Sequence, residues 1–171
     1  LDADALGRRS RALHLVGEVR DLRGDSETAL VAFRQAATTT GELLARDPGN
    51  GQRIFDHAQS VFWVGYVAYQ RGETKEAEAA FRDYRKYAGQ LVKLDPKNAD
   101  WQMEVAYAES NLGTLLYNKG RYPEAERAFA TALRVMEPIA ARKPDDIAVQ
   151  TELTEQISWL ASAREKLGRH E

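Results

Sequence analysis

Small or apolar side chains return along this chain in alternating steps of four and three. They fall at 29, 33, 36, 40 and 43, again at 77, 81, 84, 88 and 91, and again at 125, 129, 132, 136 and 139. That spacing is one face of a helix, with Thr40 its weakest member. The stretches before each run carry a second apolar face: Leu13, Val16 and Gly17, then Val61, Val64, Gly65 and Ala68, then Leu112, Gly113 and Leu116. Glu109 stands where an apolar residue is due. Proline after Asp47, Asp95 and Lys143 biases the preceding residue away from helix, and Pro123 fits a first helical turn, where its missing N–H costs little. The pattern predicts an all-α chain of seven helices, at 3–22, 26–46, 51–71, 74–94, 99–119, 122–142 and 146–167, and no strand.

The pattern also repeats. Gly24, Gly72, Gly120 and Gly168 are spaced 48 residues apart, and the same step separates Ala29, Ala77 and Ala125, then Phe33, Phe81 and Phe129. Gly17, Gly65 and Gly113 keep it, with Ala161 in the fourth slot. Each period holds two helices, so the expected organisation is one solenoid with repeats at about 3–50, 51–98 and 99–145 and a final helix at 146–168. Gly24, Gly72 and Gly120 are expected to end the first helix of each pair in a φ > 0 conformation. Gly17, Gly65 and Gly113 let the two helices of a pair approach, and the three phenylalanines plug the space between neighbouring pairs. These positions read as structural.

The stretch Ala106 to Ala132 carries Asn111-Leu112-Gly113, Tyr117, Gly120, Tyr122 and the series Ala125, Phe129 and Ala132. These residues resemble the tetratricopeptide repeat, and the resemblance runs along nearly the whole chain. The family's usual period is 34; the excess here is two helical turns per helix, and the phrase from Leu94 to Glu126 looks like a long-repeat bacterial variant. The resemblance implies a right-handed superhelical solenoid of about three and a half repeats that binds a peptide or protein partner in its concave groove. It also implies an alternative, a regulatory or self-assembly segment of a larger bacterial signalling protein whose catalytic domain lies elsewhere.

Composition narrows the field. A formal charge of −2 gives no basic stripe for nucleic acid; Arg8, Arg9 and Arg11 cluster, but Asp2, Asp4 and Glu18 lie near them. Cysteine is absent, which removes disulfides, thiolate metal sites and a cysteine nucleophile. No apolar run approaches the ~20 residues of a membrane helix. The cytoplasm is the expected compartment, with the periplasm as the alternative, and a sequence opening at Leu1 reads as a processed product or an excised piece. His14, His57 and His170 form no metal pair, Gly41, Gly49 and Gly51 form no phosphate loop, and no serine sits in a nucleophile elbow. Neither a catalytic site, a cofactor nor a metal is expected.

Carried over from the family, the first helix of each pair lines the groove. Repeat one presents Arg11, His14, Leu15, Glu18 and Asp21, and repeat two Gln59, Phe62, Trp63, Tyr66, Tyr69 and Gln70. Repeat three presents Tyr107, Ser110, Asn111, Thr114, Tyr117 and Asn118, and the last helix Glu155, Ser158, Trp159 and Ser162. Relatives that clamp a chaperone's C-terminal carboxylate use Lys, Asn and Arg, where His14, Glu18 and Phe62 stand here, so that partner is not expected. Phe62, Trp63 and Tyr66 stand out because Val61 and Val64 already satisfy the core face, and Tyr107, Asn111 and Tyr117 form the adjoining candidates. The aromatics read two ways, as side chains buried between long helices or as anchors for a partner. The partner class is protein or peptide, and self-association is a further option.

Overall fold

The turn glycines set the path of the chain. In the computed structural model, which describes residues 2–169 and so leaves His170 outside, Gly24, Gly72, Gly120 and Gly168 all have φ between 69° and 78°. Each ends a helix in the same way. The Gly24 N–H donates to Asp21 O at 2.8 Å and the Asp25 N–H reaches back to Arg20 O at 2.9 Å. The pair of bonds is repeated at Glu73 to Ala68, Arg121 to Leu116 and Arg169 to Arg164. This closes orphan carbonyls with a left-handed residue that glycine adopts without a Cβ penalty.

The helices begin on side-chain caps with the same period. Asp2, Asn50, Asn98 and Asp146 accept from the backbone N–H three residues on, at 2.7–3.2 Å, each satisfying an N–H that the helix leaves unpaired. Asp2 lies one 48-residue step before Asn50 and caps α1 in the same way. The result is seven helices: α1 Ala3–Leu22, α2 Ser26–Arg46, α3 Gly51–Gln70, α4 Thr74–Leu94, α5 Ala99–Asn118, α6 Tyr122–Arg142 and α7 Ile147–Lys166. No strand occurs among the described residues. The expected ends at 71, 119, 146 and 167 are the cap residues themselves.

The chain forms two compact units that divide between Leu94 and Asp95. In the first, α1 packs on α2, α2 on α3 and α3 on α4; in the second, α5 packs on α6 and α6 on α7. The three-residue turns at 23–25, 71–73 and 119–121 leave the paired helices antiparallel.

Within each pair one contact recurs. A Cβ placed on Gly17 would lie 2.6 Å from Phe33 Cε1, on Gly65 2.8 Å from Phe81 Cδ1, and on Gly113 2.7 Å from Phe129 Cε1. Phe33, Phe81 and Phe129 are fully buried, each with its ring edge in the notch left by a glycine of its partner helix. The sequence placed these rings between neighbouring pairs; they do that too, since Phe33 stacks on Trp63 at 5.3 Å and Phe129 on Trp159 at 5.6 Å. Ala161, the fourth member of the glycine series, is exposed.

Two further joints hold the first unit. Arg34 of α2 donates to Glu76 at 2.8 Å and to Glu73 at 3.3 Å, across to α4. His57 of α3 sits with Nδ1 2.9 Å from Thr40 Oγ1 and its ring against the edge of Tyr87 at 4.7 Å. Gly41 makes room for it, since a Cβ there would meet His57 Cε1 at 3.3 Å. Burial pushes the His57 imidazole below its ordinary range and Lys86 assists, while Asp83 and a hydrogen bond at Ala37 oppose.

Two predictions follow from this packing. Gly65→Ala gains helix propensity but drives a methyl into Phe81, and should lower stability by about 1–2 kcal/mol. Gly89→Ala, also inside a helix but with nothing within 4 Å of the new methyl, should raise it by about 0.5–1 kcal/mol. Urea unfolding of both variants measures this, and equal shifts of the same sign would show that the glycine notch is not filled. For His57, the unfolded chain takes up its proton at about pH 6.5 while the folded chain resists it. Its contribution to stability is therefore complete above that pH and is lost as pH falls through the lower folded value. Between about pH 7.5 and about pH 5, His57→Gln should lose less stability than the wild type, measured as the change in urea midpoint.

Candidate functional site

In the first unit α1 and α3 both rest on α2, and between them runs a groove of about 570 Å3. Gly7, Ser10, Arg11, His14 and Leu15 of α1 form one wall, and Gln52, Asp56, Gln59 and Ser60 of α3 form the other. Thr40 and Leu43 of α2 make the floor. The walls are side by side because both helices pack on α2, which buries Leu30, Phe33, Ala36, Leu43 and Leu44; of the polar wall residues Ser10 and Ser60 are buried as well. Gln52 donates to Asp56 at 2.8 Å, and Glu18 lies 3.3 Å from His14 Nε2. The chemistry on offer is hydrogen bonding by amides, a guanidinium, an imidazole and a carboxylate over a floor with one leucine. Such a set can pair with main-chain amides of an extended segment.

Phe62, Trp63 and Tyr66 come together on α3 just beyond Gln59, outside the groove lining, with Trp63 alone reaching a groove residue, His14. Their rings lie 5.5–5.9 Å from one another. Trp63 stacks on Phe33 and meets the edge of His14 at 5.7 Å, so it joins α3 to α2 and to α1. Phe62 packs beside Tyr84 at 5.4 Å and Phe81 at 6.5 Å, joining α3 to α4. All three are partly buried. Phe62 and Trp63 thus serve the packing, and Tyr66 forms the outer edge of the cluster.

The second unit does not gather Tyr107, Asn111 and Tyr117 into one patch. Asn111 Nδ2 donates to the Tyr107 carbonyl at 2.8 Å, a bond inside α5. Tyr117, about 15 Å along the axis from Tyr107, packs with Tyr122 at 5.2 Å and Trp159 at 5.5 Å. Tyr107 borders a small cleft of about 200 Å3 with Asp100, Met103, Glu104 and Val149. Burial raises the Tyr107 hydroxyl above its ordinary value, and Glu152, Glu104, Asp146 and Asp100 raise it further. Glu152 is itself pushed up by burial and by Glu155. The cleft carries both signs of charge, since Lys143 lines it together with Asp100 and Glu104. Along α7, Glu155, Ser158, Trp159 and Ser162 line an open trough of about 760 Å3 together with Ile147, Thr151 and Thr154.

Of the groove residues, Arg11, His14, Leu15 and Gln59 were legible as first-helix positions. Gln52, Asp56, Thr40 and Leu43 were not, since the first belong to the opening turns of α3 and the last two to a second helix. Among the described residues no group of three or more His, Asp or Glu side chains is placed to hold a metal ion, and no helix is long and apolar enough to cross a membrane.

No family model matches the sequence, and no curated protein matches it. Solved structures do match, among them the first tetratricopeptide-repeat domain of Spaghetti (RPAP3) bound to the HSP90 peptide SRMEEVD. That match is 14% identical, covers 90% of this chain and 94% of that one, and has a TM-score of 0.40.

Proposed function

We propose that the chain is a non-catalytic interaction module whose first unit holds an extended segment of a protein partner between α1 and α3. The observation that carries this reading is the groove itself, walled by two helices and floored by a third, with hydrogen-bonding side chains along both walls. Arg11, His14 and Gln59 would pair with the partner's main chain and Leu15 and Leu43 would take an apolar side chain. Tyr66, at the outer edge of its cluster, supplies aromatic contact area, while Phe62 and Trp63 hold the wall in place. In the second unit Tyr107, Asn111 and Tyr117 do not share one patch, so each would make a separate contact, Asn111 through its side-chain oxygen and the second N–H of its amide.

The test begins with selection of peptides from a random display library on the folded chain, followed by calorimetric titration. Arg11→Ala and Tyr66→Ala should each weaken the selected peptides by about 1–3 kcal/mol, and the exposed Lys75→Ala should leave them unchanged. Peptides that bind all three variants like the wild type would remove the groove as the site, as would a chain that selects no peptide.

A further inference from the structure

The repeat builds one space twice and fills it once. In each unit the space is bounded by two first helices and the second helix between them: α1 and α3 on α2 in the first unit, α5 and α7 on α6 in the second. Two steps of 48 residues relate the two places, so the surrounding elements are alike and the difference lies in the side chains. In the second unit Met103, Ala106, Met136 and Ile139 belong to a buried apolar cluster, with Tyr107 and Leu153 packed against it. In the first unit the same positions are Gly7, Ser10, Thr40 and Leu43, with Arg11 and His57 beside them. Gly7 has no side chain where Met103 has a long one. Thr40 stands for Met136, and its short hydroxyl turns back on Ala36 O at 3.1 Å. The open space differs accordingly, about 570 Å3 between α1 and α3 against about 200 Å3 beside Met103.

The walls differ as well. Gln156 of α7 reaches across to Ser110 of α5 at 2.6 Å and closes the second space. The corresponding residues of the first unit bond along their own helices, Ser60 to Asp56 O at 3.0 Å and His14 to Glu18 at 3.3 Å. Charge in the first space is one-sided. Asp56 accepts from Gln52 at 2.8 Å, and Glu18 has His14. Arg11 enters no hydrogen bond or ion pair among the described residues, and its Nη1 lies 3.5 Å from where a Cβ on Gly7 would stand. A guanidinium poised over such a notch is matched by a carboxylate.

We propose that the extended segment held in the groove puts an aliphatic side chain into the notch over Gly7, Thr40 and Leu43, where the second unit has its own Met103, and pairs an acidic residue within two positions of it with Arg11. This rests on the groove reading above and adds to it the side chains that the groove selects. The partner completes in the first unit the apolar packing that the second unit completes from its own sequence.

The test selects peptides from a random display library on the folded chain. The enriched peptides should share an aliphatic residue with an acid within two positions of it, and one of them, synthesised with a fluorescent label, is the probe. By fluorescence anisotropy, replacing its aliphatic residue by alanine should raise Kd at least about tenfold. Replacing its acid by the amide should raise Kd several-fold on the wild type and little on Arg11→Gln, a coupling that a contact elsewhere would not give. Gly7→Met supplies from within the side chain that the second unit has. It should raise Kd at least about tenfold while raising the urea midpoint. Gly7→Ala, whose methyl meets Arg11 at an ordinary distance, should cost far less binding. Enriched peptides that lack the aliphatic and acidic pair, or that bind Gly7→Met as tightly as the wild type, overturn the proposal. In that case weaker binding to Arg11→Ala leaves the groove as the site with other side chains in it, whereas a chain that selects no peptide removes both readings.

Discussion

Every helix pair depends on one contact, the edge of a phenylalanine ring lying where a glycine of the partner helix has no side chain. A glycine inside a helix costs about 1 kcal/mol relative to alanine, and burying a phenylalanine returns about 1.5–3 kcal/mol. The exchange is favourable only if the ring meets the notch, so it also fixes the register of the two helices. The ring's face remains available, and in Phe33 and Phe129 it is used for the next helix through Trp63 and Trp159. One side chain thus ties a pair together and joins it to its neighbour. A slip by one helical turn would bring an occupied position against the ring.

The groove of the first unit inherits its shape from that contact. His14 meets the edges of both Phe33 and Trp63, so the wall of α1 and the wall of α3 are referred to the same buried ring. Some of the polar residues on the walls bond to one another, Gln52 with Asp56 and His14 with the neighbouring Glu18. His57 and Thr40 add a second tie between α2 and α3 nearer the other end of α3. The rims are therefore held at two levels, and a segment lying between them would meet donors and acceptors already in place, which reduces the ordering cost of binding.

The fold was legible because its signals are local and periodic: proline stops, glycine ends, and an apolar face in steps of four and three. The phenylalanine positions were legible too, although half of their role was not, because a spacing of 16 between Gly17 and Phe33 identifies a contact only once the antiparallel turn is known. The candidate site was less legible. Phe62 and Trp63 looked like spare apolar surface because the core face of α3 was already satisfied, yet a helix flanked by α2 and α4 has two buried faces. Periodicity counts one. Asn111 read as a hydrogen-bonding side chain with a family precedent, and one of its two amide N–H groups is spent on the helix that carries it. The division of the chain between Leu94 and Asp95 has no counterpart in the repeat, since Asp47-Pro48 and Lys143-Pro144 carry the same proline signal inside a unit.

Val16 of α1 shows why an apolar pattern and a buried face are different facts. Val16, Val64 and Leu160 are interchangeable as sequence, since all three are aliphatic at one register position. Their surroundings differ because burial is a property of the neighbour: α2 covers Val64 and α6 covers Leu160, while Val16 meets solvent.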